Sequence, residues 1–190
     1  RNKDWKILDI GCGYTANKHA NFVADAQDFS NFYKDKKKFI KIESKKLPFK
    51  DKEFDFVIAS HVIEHVEDFA FFVGELERIS DQGYIELPTR LGDNLIFENT
   101  TDHIWWFTFD DTNKKLLASK KTQTLEPFLS VATGKNLSDS FRESFVIELF
   151  WNNKIEFSFD DNINNKSRKK FSFLSIVKKY FSKRLRKLIS

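Results

Sequence analysis

The sequence contains no methionine and a single cysteine in 190 residues. Without methionine the chain carries no initiator, so the expectation is a trimmed or partial product that lacks residues ahead of its first strand. The lone thiol, Cys12, excludes an intrachain disulfide framework and suits a reducing compartment. No apolar run approaches the roughly 20 residues of a membrane-spanning helix. No signal-peptide pattern opens the chain, and no segment repeats at a fixed period. What is present, 41% apolar and 32% charged residues with 22 phenylalanines, fits a soluble globular chain and excludes disorder overall. The length suits one domain, expected over 1–165, plus an appendage over 166–190.

The net charge of +4 hides an asymmetry. Residues 166–190 hold ten Lys and Arg and no acid, which leaves 22 bases against 28 acids, a net −6, in the rest. An acidic domain argues against a nucleic-acid-binding face, and no nucleic-acid partner is expected. In the appendage, Phe173, Leu174, Val177, Phe181, Leu185 and Leu188 fall on one helical stripe among basic residues. That pattern reads as a basic amphipathic helix for an anionic membrane surface, against the alternative of a solvated tail.

The chain is organised around Lys6-Ile-Leu-Asp-Ile-Gly-Cys-Gly13. An apolar run ending in Gly-x-Gly predicts a buried parallel strand feeding a tight turn beside a ligand, where a following helix would aim its free N–H groups at an anionic group. Gly11 to Ala16 also satisfies the dinucleotide form G-x-G-x-x-A. The next strand, Phe22 to Asp25, follows too soon for a full crossover, so the first helix must be stunted or replaced by a loop. Short strands are expected at Phe39–Glu43, Phe54–Ala59 and Tyr84–Leu87. Phe69, Phe72, Val73, Leu76 and Ile79 predict an amphipathic helix over 67–80, and a further helix is expected after Thr124. Strands at 103–109 and 115–119, and at 145–151 and 154–159 around Asn152-Asn153, predict hairpins at the sheet edge. The alternation is that of an α/β, doubly wound, mostly parallel sheet with a short first crossover and antiparallel edge hairpins.

Four segments in this order, Ile7–Gly13, Leu47-Pro-Phe49, Phe54–His65 and Gly83–Pro88, resemble class I S-adenosylmethionine-dependent methyltransferases, and more narrowly small bacterial members associated with glycan and lipopolysaccharide biosynthesis. The resemblance covers roughly residues 5–106. It implies a Rossmann-like methyltransferase fold, S-adenosylmethionine as cofactor and a cytoplasmic location, at the inner membrane surface if the basic tail docks there. Asp9, Gly11 and Gly13 match the motif that holds the cofactor's amino-acid end. Asp25 matches the carboxylate that takes the ribose hydroxyls, an acceptor-only group able to receive two O–H donors. Glu43 matches the position that reaches the adenine amino group, Ser44 would offer its N–H to the ring, and Leu47 would pack on its face.

His61 is the first candidate for a general base on the acceptor and His103 the second. His61-Val-Ile-Glu64-His65 has the H-x-x-E-H form of inverted zinc proteases, but no downstream third ligand is marked, so no metal is expected and His65 is read as a helix-start residue packed under the sheet. His103 with Trp105 and Trp106 is either an aromatic wall over the substrate or ordinary core, and Cys12 is a packing residue rather than a nucleophile. The Asn/Asp-Pro-Pro-aromatic motif of adenine and glutamine N-methyltransferases is absent after Ala59, which disfavours those substrates, and the resemblance to glycan-associated members implies a small-molecule or lipid-linked glycan acceptor. Two other classes stay open: a non-catalytic binding module that kept the sheet, and an NAD-dependent dehydrogenase resting on G-x-G-x-x-A alone.

Overall fold

In the computed structural model, which describes residues 4–160, 172, 174 and 177–182, the apolar run at the start is the buried centre of a sheet. Its strands are β1 (Ile7–Ile10), β2 (Phe22–Asp25), β3 (Lys38–Lys41), β4 (Phe56–Ser60) and β5 (Gln82–Pro88). They run parallel in the order β3-β2-β1-β4-β5. All four residues of β1 are buried, as expected of a strand flanked on both sides and lacking a polar face. This is the Rossmann-like order, with the reversal beside β1 where such sheets bind ligands.

Only one crossover in this sheet carries a full helix. Helix α1 (Ser30–Tyr33) is a single turn between β2 and β3, whereas α2 (Phe69–Ile79) spans eleven residues between β4 and β5. The Asp68 carboxylate caps α2 by accepting the Phe71 N–H. The predicted stripe Phe69, Phe72, Val73, Leu76 and Ile79 is buried against Leu8, Ile10, Val57, Ala59, Ile85 and Leu87. On the opposite face α1 lays Tyr33 over Val23 and Phe39, and the rest of that face, around Ile7, Ile58 and Tyr84, is only partly covered. The sheet is therefore doubly wound with unequal layers.

After α3 (Arg90–Leu95) and α4 (Asn99–Asp102) come β6 (Trp105–Asp110) and β7 (Lys115–Lys120), then α5 (Val131–Ser140), α6 (Arg142–Phe145), β8 (Val146–Asn152) and β9 (Phe157–Phe159). The helix expected after Thr124 is α5. The edge hairpins need correcting. The β6–β7 hairpin forms, but in a separate three-stranded sheet with β9 parallel to β7. Only β8 joins the main sheet, antiparallel to β5 along its whole length. At Asn152-Asn153 the chain makes one isolated bridge to Lys154 and leaves for the second sheet. The reason is burial: β9 gains the Phe69 ring, which Phe157 and Phe159 meet edge-on at 5.1 and 5.2 Å, whereas pairing with β8 would leave it on an open sheet edge. Gly83 shows how tightly β8 docks, because a Cβ there would lie 2.3 Å from the Val57 carbonyl and 2.6 Å from the Trp151 ring. The expected basic helix over 166–190 lies mostly outside the described residues, among which 174 and 177–182 are helical.

Candidate functional site

The C-terminal ends of β1, β2, β3 and β4 open into one cleft of ≈ 810 Å³. Gly11, Gly13, Asp25, Glu43, Ser44, Leu47 and His61 all line it, so segments far apart in sequence converge. Its far wall comes from the start of α2 and the turn before it, with His65, Val66, Phe71 and Phe72. A mostly apolar hollow of this size with a few convergent polar groups is the usual form of a small-molecule site.

The glycines are there for sterics. Gly11 has φ +69°, and a Cβ on it would lie 2.5 Å from a Val62 methyl; Gly13 has φ +52°. Beyond Gly13 the crossover is a loop with no helix, so the predicted helix N-terminus does not exist. The loop's N–H groups are instead taken up within the protein. Gly11 donates to the Ala24 carbonyl (2.7 Å), Thr15 to the Cys12 carbonyl (2.9 Å), Gly13 to Asp25 Oδ2 (3.0 Å), Ala16 to the Tyr33 hydroxyl (3.3 Å) and Asn17 to Asp9 Oδ2 (2.6 Å). The Tyr33 hydroxyl in turn donates to the Gly13 carbonyl at 2.7 Å. Tyr33 thus stands in for the missing helix, and nothing in its polar, basic surroundings marked it in the sequence.

Asp25 accepts Gly13 N–H on one oxygen and Gln27 N–H (2.9 Å) on the other, which fixes its carboxylate at the cleft wall. Leu47 is buried, its N–H donating to Glu75 Oε2 (2.7 Å) and its carbonyl accepting from Arg78 (3.1 Å), so α2 holds the 44–49 segment in place. Glu43 and Ser44 are exposed at the mouth. Burial pushes the half-buried Cys12 thiol up to about 11, consistent with a packing role.

Asp9 lies on the other face of β1. It lines a second hollow of ≈ 680 Å³ with Trp5, Ile7, Phe56, Tyr84 and Arg142, and its reach to the cleft is indirect, through the loop it tethers at Asn17. Burial pushes its carboxyl up to about 6, against the lowering effect of the Asn17 N–H and of Lys37. Between pH ~4 and ~6 the folded chain therefore binds a proton that the unfolded chain has released, and stability falls as pH rises through that window. A shift of about two units corresponds to about 3 kcal/mol. Asp9→Asn, which keeps the acceptor for Asn17, is expected to raise unfolding stability at pH 7 by up to about that amount and to flatten the pH 4–6 profile. Urea unfolding across that range tests it, and an unchanged slope would remove the buried charge as its cause.

The two base candidates are corrected. The His61 ring lies 3.2 Å from Glu64 Oε1 through Nδ1 and 3.1 Å from Glu86 Oε1 through Nε2. Burial alone would lower its pKa, but the two carboxylates outweigh that and raise it to about 9. At neutral pH the imidazolium donates to both acids and has no lone pair with which to take a proton. Burial would raise the Glu86 carboxyl, but His61, the Tyr84 hydroxyl and the Arg142 guanidinium together pull it down to about 2. His61 also has φ +53°, a left-handed conformation that non-glycine residues adopt at a cost of about 1–3 kcal/mol and that clusters at functional sites.

His103 does not reach the cleft. It is buried behind His65, whose ring it meets edge-on at 4.5 Å, with Nδ1 2.5 Å from Asp93 Oδ1. Trp105 and Trp106 are buried too, which decides for core over an aromatic wall. His65, expected under the sheet, is exposed on the cleft side, because the chain after β4 forms a 3-10 turn at Ile63–His65 that buries Ile63 and Glu64 instead. Glu64 and Glu86, which frame His61, were not singled out as site residues. The H-x-x-E-H spacing was the available signal for Glu64, and Glu86 had none.

Residues 8–85 match the family model described as a methyltransferase domain. The matched segment runs from β1 into β5 and carries every cleft residue named above. An uncharacterized protein of Methanocaldococcus jannaschii is 33% identical over 108 residues, covering 50% of this chain and 45% of that protein, so the chain spans under half the length of this curated relative. Among solved structures, a protein of Pyrococcus horikoshii is similar at 16% identity over 78% of this chain and 81% of its own, with a TM-score of 0.45. A Thermotoga maritima protein described as an S-adenosylmethionine-dependent methyltransferase, possible histamine N-methyltransferase, is similar at 22% identity over 50% and 48%, with a TM-score of 0.40.

Proposed function

We propose that the chain binds S-adenosylmethionine in the β1–β4 cleft and transfers its methyl group to an acceptor held at the His65 end. The carrying observation is the convergence of Gly11, Gly13, Asp25, Glu43, Ser44 and Leu47 on one cleft, together with the match of residues 8–85 to a methyltransferase domain. The donor set fits the cofactor: an anchored carboxylate at the end of β2 for paired ribose hydroxyls, an acid and a backbone N–H at the mouth for the adenine edge, and the Leu47 side chain for its face. Once bound, the cofactor supplies an electrophilic methyl group. The protein's part is to hold donor and acceptor in line and to exclude water, and orientation of that kind is worth about 7–11 kcal/mol of barrier. Val66, Phe71 and Phe72 provide the dry wall. The acceptor we assign is an oxygen of a small-molecule or lipid-linked glycan, tested by S-adenosylhomocysteine release that depends on added glycan.

The loop after Gly13 speaks against a dinucleotide. A pyrophosphate wants free N–H groups at a helix N-terminus, and here five loop N–H groups are engaged internally and no helix begins. Isothermal titration separates the readings. Saturable micromolar binding of S-adenosylhomocysteine with none of NAD is expected. NAD binding would favour the dehydrogenase, and binding of neither would leave a scaffold without cofactor.

A further inference from the structure

Behind the acceptor end of the cleft, Glu64, His65 and His103 each offer a ligand atom, and these atoms lie within 4.8 Å of one another. The H-x-x-E-H pattern lacked a third ligand in the sequence; the fold supplies one by bringing the start of β6 against the 3-10 turn, where Ile104 N–H donates to the Glu64 carbonyl at 2.8 Å. The membership also changes, since His61 drops out and His103 enters.

Three features prepare these side chains for a cation. His65 Nδ1 is 3.0 Å from the Asp102 carbonyl, so it must carry the proton that it donates there, leaving the Nε2 lone pair free. His103 Nδ1 lies 2.5 Å from Asp93 Oδ1, an ion-pair distance that sets a carboxylate behind this ring. A carbonyl and a carboxylate behind two imidazoles are the kind of outer partners that orient histidine ligands. Glu64 is fully buried, and its Oε2 has no hydrogen-bond partner. A buried carboxylate oxygen left unpaired is unfavourable, and a bound cation removes that penalty.

We infer that Glu64, His65 and His103 form a binding site for a divalent transition-metal ion with a coordination position open toward the cleft. Two imidazoles and one carboxylate suit Zn2+, Co2+ or Fe2+ rather than Mg2+ or Ca2+, which prefer all-oxygen shells. Of the three, His65 alone lines the cleft, so a coordination position open on its side would face the acceptor end, where an acceptor oxygen could complete the shell. That last step rests on the methyltransferase reading; the metal site itself does not.

The test uses the full chain after dialysis against a chelator. Calorimetric titration with Zn2+, and visible absorption with Co2+, should give one site per chain. His65→Ala and Glu64→Gln should each weaken it at least tenfold, while His19→Ala should leave it unchanged. His65 is exposed, so its variant is expected to fold, and it decides the matter alone should Glu64→Gln not fold. Absence of saturable binding, or equal affinity in wild type and His65→Ala, overturns the site. S-adenosylhomocysteine titration of the metal-free chain reads the cofactor proposal separately, so either can fail without the other.

Discussion

Asp25→Ala is expected to weaken S-adenosylhomocysteine binding a hundredfold or more. The carboxylate closes β2 at the cleft wall, with one backbone N–H on each oxygen and room on each for a further donor. Two ribose hydroxyls would take those places. Hydrogen bonds to a charged acceptor contribute roughly 1.5–3 kcal/mol each, so losing both approaches 3 kcal/mol or more, and 1.4 kcal/mol is tenfold. The loss has a second part. Gly13 N–H is tied to Asp25, so alanine also frees the loop that shapes the cleft. Asp25→Asn, which keeps an acceptor for one of the two N–H groups, should fall between alanine and wild type. Calorimetric titration of folded variants checks this, and an alanine variant within threefold of wild type would exclude Asp25 from the site.

Asp93→Ala should lower unfolding stability by about 3–5 kcal/mol, the usual consequence of removing one partner from a buried ionic group. Asp93 on α3 is fully buried and holds three residues at once: Trp106 Nε1 donates to it at 2.5 Å, Lys121 Nζ lies at 2.8 Å and His103 Nδ1 at 2.5 Å. Burial raises its pKa, but His103 and Lys121 outweigh that and hold it below the ordinary carboxylate range. Without it, the nearly buried Lys121 ammonium keeps only the Asn99 carbonyl as a partner among those named, and Trp106 and His103 lose theirs. A domain of this size has about 5–15 kcal/mol in total, so the variant should be near its folding threshold at 37 °C. A loss under 1 kcal/mol in urea unfolding would show that the cluster does not hold α3 to the second sheet. Asp93 also orients the His103 ring, so Zn2+ affinity should fall in the same variant.

The cleft's inner wall was legible in the sequence because each of its parts has a local cause. Gly11 and Gly13 are needed for positive φ, Asp25 ends an apolar run, and Phe69 to Ile79 repeats at helical spacing, so position along the chain was enough to find them. The acceptor end was not legible, because what matters there is set by neighbours distant in sequence. His61 has the composition of a base, yet Glu64 and Glu86 on two different elements keep it protonated. His103, 38 residues beyond His65, reaches it only because β6 docks on the 3-10 turn. Asp9 sits in the expected strand, but strand alternation turns its carboxylate to the face away from the cleft, while the missing first helix leaves the loop to be held by Tyr33.

The late strands divide the same way. Residues 145–151 and 154–159 each carry strand-forming sequence, and local pattern alone joined them in a hairpin. Whether they pair with each other depends on which apolar surface each can cover, and Phe69 on α2 draws β9 to a second sheet. Sequence by itself therefore determined the strands, the amphipathic helix and the glycine turn, since those follow from backbone sterics and the period of apolar residues. Only the tertiary structure decided the protonation of His61, the company of Glu64 and His103 and the partner of β9, because charge pairing and burial depend on distances that the chain's linear order does not contain.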